Sequence, residues 1–148
     1  MNAAGASCHS FHLLPMKAIG LIGEDLTRSA IGAFFAVYDS LGSGFLEHIY
    51  TAALERELRQ RGHCVAREVG VPIFYKGEKI ALQRLDMLID KRLIVEVKAA
   101  QDSPSSSTKQ LFNYLRATRL EVGLLFSFGP QPTFKRVVCR NALKIQPK

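Results

Sequence analysis

The strongest constraint on the fold is a change of hydrophobic period along the chain. Apolar residues recur at helical spacing up to Leu58 and at every second position from Cys64 onward. Helices and a sheet must therefore pack against one another. From Asp25 to Leu41 the residues Leu26, Ala30, Phe34, Val37, Tyr38 and Leu41 lie on one helical stripe, and Gly42 ends it. Leu46, Ile49, Tyr50, Ala53, Leu54 and Leu58 repeat the pattern up to Gly62, with Arg56, Arg59 and Arg61 near the end where cations suit the helix dipole. Period two then predicts strands over 64–69, 71–75 and 79–90, with a Lys76-Gly77 turn, and over 92–99 after a turn at Asp90-Lys91. The segment QDSPSSS (101–107) is expected to be a polar loop, 107–119 a third helix, 122–128 a buried strand and 134–140 an edge strand. The order helix, helix, strands, helix, strand, strand makes an α/β protein, a mixed sheet flanked by helices.

The length of 148 residues suits one core. A single domain is expected over 23–141, with a flexible leader at 1–22, where Met16 is an alternative start, and a tail at 142–148. The longest apolar stretch, Ala30 to Tyr38, is far shorter than the ~20 residues a membrane span needs, so no membrane partner is expected. Three widely spaced cysteines without a CxxC suggest neither a disulfide framework nor a thiolate zinc site. Cys8, His9 and His12 cluster without a fourth ligand. The first lysine, Lys17, comes too late for the basic start of a secretory signal, and a cytoplasmic location is expected. The net charge of +7 is concentrated late in the chain: residues 99–148 carry eight basic and two acidic side chains, residues 1–98 twelve and eleven. A polyanionic partner fits that distribution, as does a solvated basic face.

Chemistry is concentrated in RLIVEVKA (92–99). Alternation places Leu93, Val95, Val97 and Ala99 on one face and Ile94, Glu96 and Lys98 on the other. In the preceding strand Arg84, Asp86 and Leu88 are expected to share a face, with Leu85, Met87 and Ile89 opposite. Pairing through the Asp90-Lys91 turn brings Asp86 beside Glu96. Two carboxylates are what a hard cation such as Mg²⁺ takes from a protein while it keeps waters and accepts a phosphate oxygen. A lysine beside it can orient a water or stabilise charge on the phosphate. The plain alternative is a Glu96–Lys98 ion pair at a strand end.

The ordered set Gly44-Phe45-Leu46-Glu47-His48-Ile49-Tyr50, Asp86, Glu96-Val97-Lys98 and Gln110-x-x-x-Tyr114 resembles the small GxxExxY proteins of the PD-(D/E)xK nuclease superfamily, over roughly residues 25–138. The resemblance implies a restriction-endonuclease-like core. It implies Asp86 and Glu96 as metal ligands, Glu47 joining them at the metal, and Lys98 as the catalytic lysine. Glu47 and Gln110 match accessory active-site positions, while Gly44, Tyr50 and Tyr114 are supporting. Where family members carry a histidine three residues before the glutamine, this chain has Ser107. Ser107-x-x-Gln110 also fits a helix capping box.

The implied function is nuclease activity dependent on Mg²⁺ or Mn²⁺, acting on nucleic acid, DNA before RNA. Lys109, Arg116 and Arg119, on one helix, are expected to meet phosphates, joined by Lys135, Arg136 and Arg140. No aromatic stripe accompanies them in the sequence, which speaks against base stacking. The alternative, motivated by Ser107, is a catalytically inactive module with the same fold that binds nucleic acid or assembles with protein, including as a homodimer through a sheet edge.

Overall fold

The computed structural model describes residues 23–99 and 104–144. Expectations for the 1–22 leader, including Met16 and the Cys8, His9 and His12 cluster, lie outside the described residues. α1 (Glu24–Leu41) and α2 (Glu47–Gln60) form where the helical repeats lie. They pack side by side on one face of a five-stranded sheet. Its strands are β1 (Val65–Tyr75), β2 (Glu78–Ile89), β3 (Leu93–Lys98), β4 (Val122–Phe128) and β5 (Pro132–Val138). They lie in the order β1-β2-β3-β4-β5, with β3 and β4 parallel and every other pair antiparallel. The parallel pair requires a crossover, and α3 (Pro104–Ala117) supplies it on the opposite face.

Each face has its own core. Under α1 and α2, Phe34 stacks on Phe126 at 4.5 Å and Tyr50 on Phe128 at 4.3 Å. Met87, Ile89, Leu93, Val95 and Val97 complete that layer. Under α3, Leu111, Tyr114 and Leu115 meet Leu85, Ile94, Leu125 and Val137. β4 contributes Gly123 to this side. A Cβ there would lie 2.7 Å from Leu111 Cδ1, so the glycine is what lets α3 come this close to the sheet.

Two expectations about element boundaries are corrected. Residues 64–69 and 71–75 are not two strands but one, β1, whose Glu68 takes a left-handed φ of +52°. α3 begins at Pro104, so 104–107 is helix and not loop. A proline suits the first helical turn because its missing N–H would have no intrahelical partner there. After a 3₁₀ turn at Asn141–Leu143, Lys144 Nζ donates to the carbonyls of Thr118 (2.8 Å) and Leu120 (2.6 Å). Residues 142–144 are thereby tied to the domain just beyond the C-terminus of α3. Cys139 is free and buried.

The β2–β3 turn is fixed from outside. Asp90 and Lys91 both have positive φ (50° and 54°), the twist-matching pair at the centre of a turn that the Arg92 N–H closes on the Ile89 carbonyl at 2.9 Å, and Ile89 then pairs with Leu93. Asp90 accepts from the Cys64 backbone N–H at 2.8 Å and meets His63 Nδ1 at 2.7 Å. His63 Nε2 in turn meets Ser29 Oγ on α1 at 2.7 Å. This chain of contacts joins α1, the end of α2 and the turn that sets the β2–β3 register. Among the described residues no helix is long and apolar enough to cross a membrane.

Candidate active site

The site lies where the β2–β3 ladder gives out. Ile89, Leu88 and Met87 pair with Leu93, Ile94 and Val95. The next pair in register is Asp86 and Glu96, and there side chains replace the ladder. The Asp86 N–H donates to Glu96 Oε1 at 3.2 Å, and the Val97 N–H donates to Asp86 Oδ2 at 2.9 Å. Pairing to β1 is also interrupted at this level: Arg67 pairs with Met87 and Val69 with Leu85, while Glu68, opposite Asp86, sits in its left-handed conformation.

That double interruption resets the alternation. Met87 and Ile89 pack under α1 and α2, yet Leu85 packs under α3, on the same side as Leu88. The expectation that Leu85 shares a face with Met87 and Ile89 is therefore corrected, because period two holds only while the strand stays regular. The convergence of Asp86 with Glu96 does occur.

Glu96 is buried, only 4% exposed, on the face covered by α3. Its carboxyl is pushed up to about 8, first by burial and then by the neighbouring charge of Asp86, with Lys98 acting in the opposite direction. Negative charge is therefore in excess. Each carboxylate has one oxygen committed to the backbone exchange, Glu96 Oε1 to the Asp86 N–H and Asp86 Oδ2 to the Val97 N–H. Two hard oxygen donors that repel each other in a buried place fit a divalent cation, whose charge removes the penalty. Asp86 and Glu96 are the residues that would hold it.

Lys98, half-buried, follows Glu96 on the same face and opens onto a broad groove of about 2000 Å³ beside α3. Tyr114 links the pair to that groove. Its hydroxyl accepts from Gln110 Nε2 at 3.0 Å and makes a long contact of 3.5 Å to the Arg84 carbonyl. Burial and the charges of Glu96 and Asp86 raise its pKa, which places the phenol within the field of the two carboxylates. Gln110 thus reaches the site through Tyr114. The capping-box reading of Ser107 and Gln110 is corrected, since Ser107 lies inside a helix that started at Pro104 and is itself buried.

Glu47 is exposed in the first turn of α2. Among the described residues no three or more His, Cys, Asp or Glu lie close enough to hold an ion, so Glu47 is not gathered with Asp86 and Glu96. Its helix packs on one face of the sheet, whereas Glu96 faces the other. Gly44 and Tyr50 have clear structural roles. Gly44 has φ +107°, in the region that favours glycine. The fully buried Tyr50 donates its hydroxyl hydrogen to the Gly42 carbonyl (2.7 Å) and accepts from the Phe45 N–H (3.1 Å). Together they shape the α1–α2 turn.

The groove is strongly basic. Lys109, Arg116 and Arg119 line it, and so do Lys98, Arg140 and Lys144, with no acidic residue among the described lining side chains. Lys135 and Arg136 are not among them. Sequence reasoning missed that Phe74 of β1 and Phe112 of α3 also line this groove. They lie in separate elements, and only the packing of α3 on the sheet brings them together.

Residues 24–137 match the family model of the PD-(D/E)XK nuclease superfamily. Among solved structures, one titled "Crystal structure of SSO0001" is similar with a TM-score of 0.51 and 22% identity, over 80% of this chain and 59% of that one. The likeness is one of fold. This chain spans less than two thirds of that protein's length. No curated protein matches significantly.

Proposed function

The chain belongs to the PD-(D/E)XK nuclease superfamily, and from that premise we propose that it hydrolyses phosphodiester bonds of nucleic acid, with Asp86 and Glu96 holding Mg²⁺ or Mn²⁺. The observation that carries the proposal is the Asp86–Glu96 pair at the break in the β2–β3 ladder, with Lys98 one strand repeat further on. When bound, the cation would polarise the phosphodiester and acidify a water. Glu96 and Asp86 bind through oxygens whose directions are fixed by the backbone exchange between them. Lys98 stabilises negative charge as it develops on the phosphate. Gln110 acts as a positioning residue, holding the Tyr114 hydroxyl on the α3 side of the pair. The finer placement among the GxxExxY proteins is part of the same proposal. It rests on Gly44, Glu47 and Tyr50 at the α1–α2 turn.

Calorimetric titration with Mg²⁺ or Mn²⁺ tests the site. Wild type is expected to bind one equivalent that Asp86→Ala and Glu96→Gln lose, and equal binding by all three removes the site. Cleavage of linear, circular and single-stranded DNA and of RNA tests the activity. Lys98→Ala is expected to lower the rate by about 10²–10³-fold, the loss typical of one well-placed charge-stabilising group. Cleavage unchanged by that substitution places the activity elsewhere. A second reading, a binding module without turnover, draws on Glu47 lying apart from the pair and on Ser107 at the histidine position. It is distinguished by salt-sensitive binding with no metal-dependent cleavage.

A further inference from the structure

We infer that the groove beside α3 takes single-stranded nucleic acid, with bases stacked on Phe74 and Phe112 and phosphates on Lys109, Arg116, Arg119 and Arg140. The inference deepens the nuclease proposal and rests on it for the placing of the strand beside Lys98. Its basis is the coincidence of two kinds of lining side chain. Among the described residues that line the groove the cations face no acidic one, so the charge there is complementary to a polyphosphate backbone. Phe74 and Phe112 lie among them at 57% and 39% exposure, so their rings are open to a ligand in the groove. Cations that track a backbone, interleaved with aromatic faces, are what strand binders without base-edge readout use, and each stacked base contributes about 1–3 kcal/mol. A regular duplex keeps its bases paired and stacked inside and offers the rings no base face.

Beside Phe74 the β1–β2 pairing is irregular. Up to Ile73, which pairs with Ala81, the strands are in register, but Phe74 then pairs with Lys79 and Ile80 is an extra residue on β2. Ile73 packs against the core on the α3 side, and Phe74 lines the groove.

The test is fluorescence anisotropy on the full chain in EDTA, with labelled oligonucleotides of about 16 nucleotides, the upper range for one such binding face. The probes are single-stranded DNA, single-stranded RNA, the DNA duplex, and a DNA strand of the same length without bases. Single strands, as DNA, RNA or both, are expected to bind at least about tenfold more tightly than the duplex, and removing the bases should cost about tenfold. Phe74→Ala and Phe112→Ala should each weaken single-strand binding about tenfold and leave duplex binding unchanged, while Phe112→Trp restores it. The double alanine variant should no longer distinguish a strand with bases from one without. Arg116→Ala should weaken every probe and flatten the salt dependence by about 0.7 on the log–log slope for single strands. Both rings are exposed, so their replacement leaves the core intact. Duplex binding as tight as single-strand binding, or an abasic strand bound as well as a normal one, overturns the inference. Cleavage with Mg²⁺ is read separately: its absence with the single-strand preference intact sinks the nuclease proposal and leaves the groove's occupant standing.

Discussion

Glu96→Gln isolates the electrostatic cost of the site. The folded carboxyl titrates at about 8 against 4.5 in its ordinary state, so the native protein holds this proton more tightly than the unfolded chain does. Stability from Glu96 is therefore fully present below pH 4.5 and is lost as pH rises through 8. At about 1.4 kcal/mol per pH unit the full loss is about 5 kcal/mol. It is an upper limit because relaxation and water penetration reduce the cost of a buried charge. Between pH 5 and 8 the same relation gives about 3 to 4 kcal/mol, or about 10 °C in Tm for a domain of this size. Urea unfolding in EDTA at a series of pH values should show wild type falling by that amount and Glu96→Gln nearly flat in comparison, since the amide keeps the shape and the acceptor oxygen without the charge.

The same experiment with Mg²⁺ completes the test. A cation on the two carboxylates favours their ionised forms, so the wild-type decline should shrink or vanish, while Glu96→Gln responds less. Parallel pH curves for the two proteins in EDTA would refute the claim that Glu96 is held neutral by burial and by Asp86. A wild-type decline that Mg²⁺ leaves unchanged would mean a buried acid with no metal to relieve it.

Gly123→Ala should destabilise by about 1–3 kcal/mol, because the new methyl group would meet Leu111 Cδ1 at 2.7 Å. The urea midpoint measures it. Tyr50→Phe removes the hydroxyl that bridges Gly42 and Phe45, which should cost about 1–2 kcal/mol and leave the ring stack on Phe128 in place. Backbone hydrogen exchange should speed up at Phe45. His63→Ala breaks both 2.7 Å contacts between Ser29 and Asp90, at an expected cost of about 1–3 kcal/mol. Faster exchange at Cys64 and Asp90 would show that the β2–β3 turn has loosened.

Helices α1 and α2 and strands β3 and β4 were legible in the sequence because each keeps one hydrophobic period from end to end. The strand pairing that joins Asp86 to Glu96 was legible too, since the short link at Asp90 and Lys91, three residues between Ile89 and Leu93, leaves little freedom of register. The start of α3 was not. Pro104 and three serines have the composition of a loop, and what makes them helical is the proline's place in the first turn together with the packing of Leu111 into the space left by Gly123. Ser107 and Gln110 were misread as a capping pair for the same reason. A motif spaced for a helix start has that meaning only if the helix begins there.

What escaped the sequence lies mainly in the β1–β2 hairpin, and for a common physical cause. The left-handed Glu68 opposite Asp86 marks where Leu85 passes into the α3 core, beside the point where the carboxylates take over from the ladder. Further along, Ile80 is an extra residue on β2 next to the Phe74–Lys79 pair. Neither carries a glycine or proline marker at the break, so period two seemed to run straight through both. A regular hairpin would place Val69, Val71 and Ile73 on the other face and deprive α3 of part of its core. The meeting of Asp86 with Glu96 thus sits at an irregularity of the neighbouring hairpin that hydrophobic period alone does not reveal.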